Sequence, residues 1–388
     1  MLDELKLSPQ QPCSPYRYRS RQSQRGSVLV IAVFVVSVII AVAARFTGDY
    51  QLAIARAEQS LIHSQMQQLL YSVESFASWV IIEDAKDDNN NGRYNQNGQN
   101  GSYDHFDEKW ITPLQVPVEE AKVNASLEDA QSRFNINQLS GRPEKYDPNG
   151  TFSQRYTIAQ RRFIRLLQTH PDNLVDPSLA QQITDAVIDW IDSDNTVSGL
   201  GGAENDYYIT QEPPHLAANQ GFISITELQH IRGMTPEIYT HLEPLLVALP
   251  ASAGININTA SVTIMRSINE KDIDTPISQE DANTLIGQRP VKPEGGKTDD
   301  SSNTFTTDAS PFESTEAFTG SSEFAQIFAN DPKAWPPIDG LRTGSEYFIL
   351  TAQVEMLDYQ RYQMSVLKRE TADDGYKTRI IRRTREQL

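Results

Sequence analysis

The sequence predicts an α+β fold: a long N-terminal helix lying on an antiparallel sheet, with a large all-α domain inserted between the strands. Three observations predict it. Residues 27–44 are uncharged and mostly Val, Ile, Ala, Leu or Phe, and the apolar pattern then thins into a stripe that reaches Val80. Period-two alternation appears around residues 110–125 and returns from Tyr347 onward. Between these stretches the apolar period is helical. The boundaries read as a basic leader (1–26), the N-terminal helix (27–82), the first part of a head (83–145), the insertion (146–330) and the closing strands (331–388).

The leader sets the orientation. It holds five Lys or Arg, among them Arg17, Arg19, Arg21 and Arg25, against two Asp or Glu. An uncharged run of about 18 residues nearly spans a bilayer as a helix. Positive charge before it keeps the leader cytoplasmic and sends the rest outward. An uncleaved signal anchor fits this pattern. A secretory signal peptide does not, because its small-residue cleavage site follows a shorter apolar core. Here the small residue precedes the apolar run, at Arg25-Gly26-Ser27. That order resembles the type IV prepilin signal. The resemblance implies a cut after Gly26 by a prepilin peptidase and N-methylation of Ser27 as the first mature residue. Glycine suits such a cut because it lets the backbone approach closely. The fifth residue after the cut is Ile31, where most pilins and pseudopilins carry Glu. A carboxylate in lipid is costly unless it meets a partner; by the same resemblance, that partner is the preceding subunit's terminal amine. A subunit without the acid suits a filament tip.

Composition narrows the function. The formal charge is −17, and the leader contributes +3, so residues 27–388 carry −20. That balance argues strongly against non-specific binding of DNA, which needs a basic face, and it suits calcium. The single cysteine, Cys13, lies in the leader, so the processed chain has no disulfide, Cys nucleophile or Cys-ligated zinc.

Leu52, Ala55, Gln59, Ile62, Met66, Leu69, Leu70, Val73, Phe76 and Val80 recur at three- and four-residue steps, the stripe of one amphipathic helix. Residues 84–108 read as a loop rich in Asn, Asp and Gly. Within it Asp87, Asn89 and Asn91, followed by Gly92, match the first half of an EF-hand calcium loop. The twelfth position is Gly98 instead of Glu, so a solvated loop competes with this second metal loop. Trp110, Thr112, Leu114 and then 121–125 alternate as strands.

Residues 154–249 read as helical, one helix running from Ile158 to Leu167 and the next from Leu179 to Ile191. The second presents Asp185, Asp189 and Asp192, with no nucleophile or base beside them, so the chain reads as not an enzyme. The helix runs into Asp189-Trp190-Ile191-Asp192-Ser193-Asp194, a glycine turn, and Gly202-Ala203-Glu204-Asn205-Asp206-Tyr207-Tyr208. Asp192, Asp194, Glu204 and Asp206 are thereby gathered. Four like charges repel unless a cation neutralises them, and calcium takes six to eight oxygens from flexible loops. An acidic solvated loop is the competing reading.

These two runs, with Ser224-Ile225-Thr226-Glu227-Leu228 and Ile255-Asn256-Ile257-Asn258-Thr259-Ala260, resemble the type II secretion protein K family of minor pseudopilins. The resemblance implies a pilin-like fold with an inserted domain, a structural calcium ion, and a place at the tip of the pseudopilus. There the subunit initiates or caps assembly for export of folded proteins across the outer membrane. It also implies partners: minor pseudopilins of classes I, J and H, the major pseudopilin, the prepilin peptidase and the inner-membrane secretion platform. The chain would be a single-pass inner-membrane protein with its head in the periplasm.

Residues 227–246, followed by 256–268 and 282–286, resemble paired helix-hairpin-helix or sterile-alpha-motif-like units. Competence-type DNA receptors share the Asn-Ile-Asn-Thr-Ala phrase, so a type IV pilus or competence minor pilin contacting DNA is an alternative. Glu227, Glu237 and Glu243 surround the first hairpin and Arg232 is nearly alone, which favours a protein-packing module. A second alternative is a calcium-binding, membrane-anchored periplasmic adaptor outside any filament. A flexible loop at 290–310, one helix at 316–328 and three antiparallel strands from Tyr347 complete the reading.

Overall fold

The computed structural model describes residues 25–90, 103–118, 121–287, 289–290, 310–328, 333–372 and 375–385. The chain forms two compact units, Met1–Ser64 and Gln65–Leu388. In the first, the described residues belong to helix α1, Arg25–Asn90. Its apolar residues, including Val28, Ile31, Val35 and Ile39, are exposed. This is the described helix long and apolar enough to cross a membrane, with a mean hydropathy of 3.1 over its most apolar window.

In the second unit, the remainder of α1 lays one stripe on a five-stranded antiparallel sheet. The stripe is Met66, Leu70, Val73, Ala77, Ile81 and Ala85, all buried. Phe76, expected inside, is exposed, because a 3.6-residue period started at Met66 passes through Ala77 instead. The sheet order is β1 (Leu114–Val118), β2 (Ala121–Asp129), β7 (Tyr347–Met356), β8 (Tyr359–Ala372) and β9 (Gly375–Thr384). Trp110 belongs to a 3-10 turn before β1, where its ring meets Phe348 edge-on at 5.5 Å. The strands expected near 110–125 and after Tyr347 thus join as one sheet. The central partners β2 and β7 pair from Ala121↔Met356 to Asp129↔Phe348.

Glu74 fastens the helix to the edge strand. It is buried and accepts hydrogen bonds from Arg383 on β9, at 2.8 Å from Nη2 and 3.0–3.1 Å from Nε. Arg383 is half exposed, so the pair is asymmetric. Arg383→Met strands a buried carboxylate and is expected to cost about 2–3 kcal/mol, whereas Glu74→Leu with Arg383→Met restores most of that loss. Urea denaturation of the three proteins checks this; equal losses in the single and double variants would refute it.

The insertion fills the chain between Asp129 and Tyr347. In order it holds β3 (Phe134–Asn135), α2 (Phe152–Arg155), α3 (Ile158–Leu167), α4 (Pro177–Ile191), α5 (Asn205–Tyr208), α6 (Pro236–Leu242), β4 (Leu246–Val247), β5 (Ile255–Asn256), α7 (Val262–Met265), α8 (Gln279–Ile286), α9 (Thr315–Thr319), α10 (Ser322–Phe328) and β6 (Leu341–Arg342). The sequence predicts an entirely helical insertion that begins at 146. The structure differs on both points. β3 pairs with β4 and β5 with β6 as two-residue parallel ladders. Phe134, Ile136 and Leu139 already belong to the insertion's core, beside Phe163, Ile183, Val187 and Leu242. The helix expected at 316–328 is two, α9 and α10, separated at Gly320 and Ser321.

A polar knot closes the neck of the insertion, where the chain leaves and rejoins the sheet. Buried Asp129, at the end of β2, accepts from Ser345 Oγ (2.6 Å), Thr259 Oγ1 (2.5 Å), Asn256 Nδ2 (2.9 Å) and the Gln131 amide (2.7 Å). The Asn-Ile-Asn-Thr-Ala phrase is therefore spent on folding: Asn256 and Thr259 bind Asp129, and Asn258 bonds both ways with the Phe312 backbone.

Candidate metal centre

α4 begins with Asp176 capping the Leu179 amide and Pro177 at its first position. It ends at Asp192, whose extended backbone (φ −71°, ψ 167°) turns the chain outward. The chain then doubles back along the helix. Asp189 accepts from the Ser198 amide at 3.0 and 3.1 Å, and Asp185 accepts from Tyr156 Oη at 3.1 Å and the Gly201 amide at 3.3 Å. The return path lies so close that only glycine fits. A Cβ on Gly201 would stand 2.1 Å from Gln182 Cα, and one on Gly202 would stand 2.2 Å from an Asp189 carboxylate oxygen. Gly199 also holds φ 52°, which side chains other than glycine's disfavour.

This fold-back brings Glu204 to Asp192 and Asp194, with one carboxylate oxygen of each within 4.8 Å of the others. Glu204 is 4% exposed, and neither of its oxygens has a hydrogen-bond partner; Asp192 Oδ1 is likewise buried and unpartnered. Burial, followed by repulsion from Asp189, Asp192 and Asp194, pushes Glu204 up to about 7. Burial and the neighbouring Asp194 and Asp189 push Asp192 up to about 6. A buried carboxylate that accepts nothing is costly. Three convergent carboxylates are oxygen donors of the kind calcium takes.

Asp206 does not join them. It is exposed in the first turn of α5, whose helical backbone carries it away while Tyr208 packs edge-on against Trp190 at 5.2 Å. The second predicted loop is also corrected. Asp87 and Asn89 lie within α1, which continues to Asn90, so their backbone is helical where an EF-hand needs a loop. Asp87 instead pairs with Lys109 at 2.8 Å. Asn91 lies outside the described residues. Asp185 and Asp189, polar-face residues by helical period, are the clamps that hold the glycine turn. The Gly-Leu-Gly-Gly run carried that signal, since tandem glycines beside a helix mark close approach.

Arg232, the cation of the first hairpin, donates to the Gly202 carbonyl at 3.1 Å and stacks over Tyr207. Glu227 caps its own helical turn at the Ser224 and Ile223 amides. Both are occupied with holding the turn.

Residues 132–251 match the family profile of the type II secretion system (T2SS), protein K. The chain is 30% identical over 280 residues to type II secretion system protein K of Aeromonas hydrophila, covering 70% of this chain and 78% of that protein. It is 31% identical over 277 residues to the protein K of Pectobacterium carotovorum, covering 70% and 76%. In fold it is similar to a chain of the GspK-GspI-GspJ complex from the enterotoxigenic Escherichia coli type 2 secretion system. That match has a TM-score of 0.63 and 22% identity, over 86% of this chain and all of that one. A pilin-like α+β head, an apolar N-terminal helix and two relatives at this identity lead to one assignment: the chain belongs to the type II secretion system protein K family, a class of minor pseudopilins.

Proposed function

We propose that the chain sits at the tip of a type II secretion pseudopilus and initiates or caps its assembly. The observation that carries this reading is Ile31, fifth after Gly26 and apolar where an axial subunit needs an acid. A tip subunit has none ahead of it, so the carboxylate has no amine to meet and would only cost free energy in lipid. The bulk of residues 130–346, built of helix-hairpin-helix or sterile-alpha-motif-like units, blocks a further subunit on top. The role is structural and not catalytic. The head lies in the periplasm, α1 is cut out of its leader after Gly26, and Ser27 is methylated. Partners are pseudopilins of classes I and J, as in the complex named above, with class H, the major pseudopilin, the peptidase and the inner-membrane platform. Asp192, Asp194 and Glu204 hold a structural calcium ion. The occupied Arg232 and the acidic charge disfavour a DNA-contacting role.

Mass spectrometry of the mature N-terminus tests the processing, with methylated Ser27 expected and an intact Met1 overturning the filament reading. Ile31→Glu tests the tip role. It is expected to lower secretion sharply while leaving processing intact; unchanged secretion would remove the electrostatic argument.

A further inference from the structure

A second group of acids lies within the second unit and shares no residue with the first group. Asp84 projects from the last turns of α1, Asp104 and Glu108 from the segment before the 3-10 turn at Lys109–Ile111, and Arg369 from β8. One carboxylate oxygen each of Asp84, Asp104 and Glu108 lies within 4.8 Å of the others. Asp104 is fully buried. It accepts from Arg369 Nη2 at 2.6 and 2.8 Å and from the Ser345 amide at 2.5 Å. Glu108 accepts from Trp110 Nε1 at 2.6 Å and the His105 amide at 3.2 Å, and the His105 ring stands 3.5 Å away. Asp84 differs. It is 7% exposed, its Oδ2 accepts no hydrogen bond, and its charged contact is Arg369 Nη1 at 3.5 Å. Buried Asp88 adds a fourth negative charge to the same field.

Charge and geometry agree. Asp84, Asp104 and Glu108 converge beside Arg369, and a divalent ion would relieve their mutual repulsion. Two oxygens on one calcium stand at most about 5 Å apart, because each Ca–O bond is about 2.3–2.6 Å; the 4.8 Å limit fits that span. Magnesium, with bonds of about 2.1 Å and a strict octahedron, fits less well. We propose that Asp84, Asp104 and Glu108 form a second calcium site, which ties the end of α1 to the neck of the insertion through Ser345 and Arg369. It shares no residue with the Asp192 site and does not depend on it. In the absence of the ion, burial first and then Asp104 and Arg369 in opposition leave Asp84 raised to about 7, so a shared proton is the rival occupant.

The full chain in detergent micelles, titrated calorimetrically with calcium alone, tests this. Two bound ions are expected for the unaltered protein, one for Glu204→Gln, one for Asp84→Asn and none for both together. Loss of one ion in Asp84→Asn alone would leave this site standing and overturn the Asp192 site. An unchanged count in Asp84→Asn would overturn this site. A second measurement guards against a variant that fails to fold. Trp110 Nε1 stands 2.6 Å from a proposed ligand, Glu108 Oε2. In the Glu204→Gln protein, terbium bound here should emit on tryptophan excitation, and Trp110→Phe should remove most of that emission. Emission absent before, or undiminished after, that change overturns the proposal.

Discussion

Arg369→Met is expected to cost about 3–5 kcal/mol, the penalty for breaking a buried ion pair by removing one partner. Arg369 is buried, donates to both oxygens of Asp104 and to the Ser345 carbonyl at 2.7 Å, and lies over the Phe348 ring at 5.1 Å. Without it, buried Asp84 and Asp104 lose the guanidinium they face. Arg369→Lys should recover only part of the loss, since an ammonium cannot face Asp104 with one nitrogen and Asp84 with another as the planar fork does. The pH dependence follows from the carboxyls. Burial raises the folded pKa values of Asp84, Asp104 and Glu108, Asp84's to about 7 and Glu108's to about 10. The folded state then binds protons that the unfolded state has released, so stability falls as pH climbs from the ordinary carboxyl range through 7. The deficit of Arg369→Met should accordingly be larger at about pH 8 than at about pH 5. Urea denaturation followed by tryptophan fluorescence checks both; a loss under about 1 kcal/mol would mean the pocket relaxes to water.

The second large effect is removal of calcium. A ligand in about 100-fold excess over Kd that binds only the folded state contributes about 2.7 kcal/mol, or about 5 °C in the melting midpoint of a head this size. At the Asp192 site, Glu204 and Asp192 are raised to about 7 and about 6. Without the ion these groups lower stability as pH rises, by the same sign as above. Protons and calcium compete for the oxygens, so the gain from calcium should widen between about pH 5 and about pH 8. Glu204→Gln is expected to remove that site's share of the gain while raising ion-free stability, because it deletes a buried unpartnered charge. Thermal melts with and without chelator decide; a midpoint indifferent to calcium would dispose of a structural ion.

Local chemistry was legible wherever a period or a close approach carried it. Residues 158–167 and 179–191 announced α3 and α4 to within two residues, and alternation after Tyr347 announced three strands. The glycines at 199, 201 and 202 announced a tight turn. Phase was less secure: a single step separates Phe76, outside, from Ala77, inside.

What the sequence determined by itself is the apolar, acid-free run at 27–44, the strand and helix periods, and a glycine turn that folds acids back on α4. Those are statements about neighbours in the chain, where sterics and hydrophobic period act at short range. Only the tertiary structure decided which acids converge. It left Asp206 outside, and it brought Asp84, Asp104 and Glu108 to Arg369, hundreds of residues away, by pairing β2 with β7 across the whole insertion and β7 in turn with β8. A carboxylate's partner is set by where the sheet places it, and spacing along the chain carries no record of that distance.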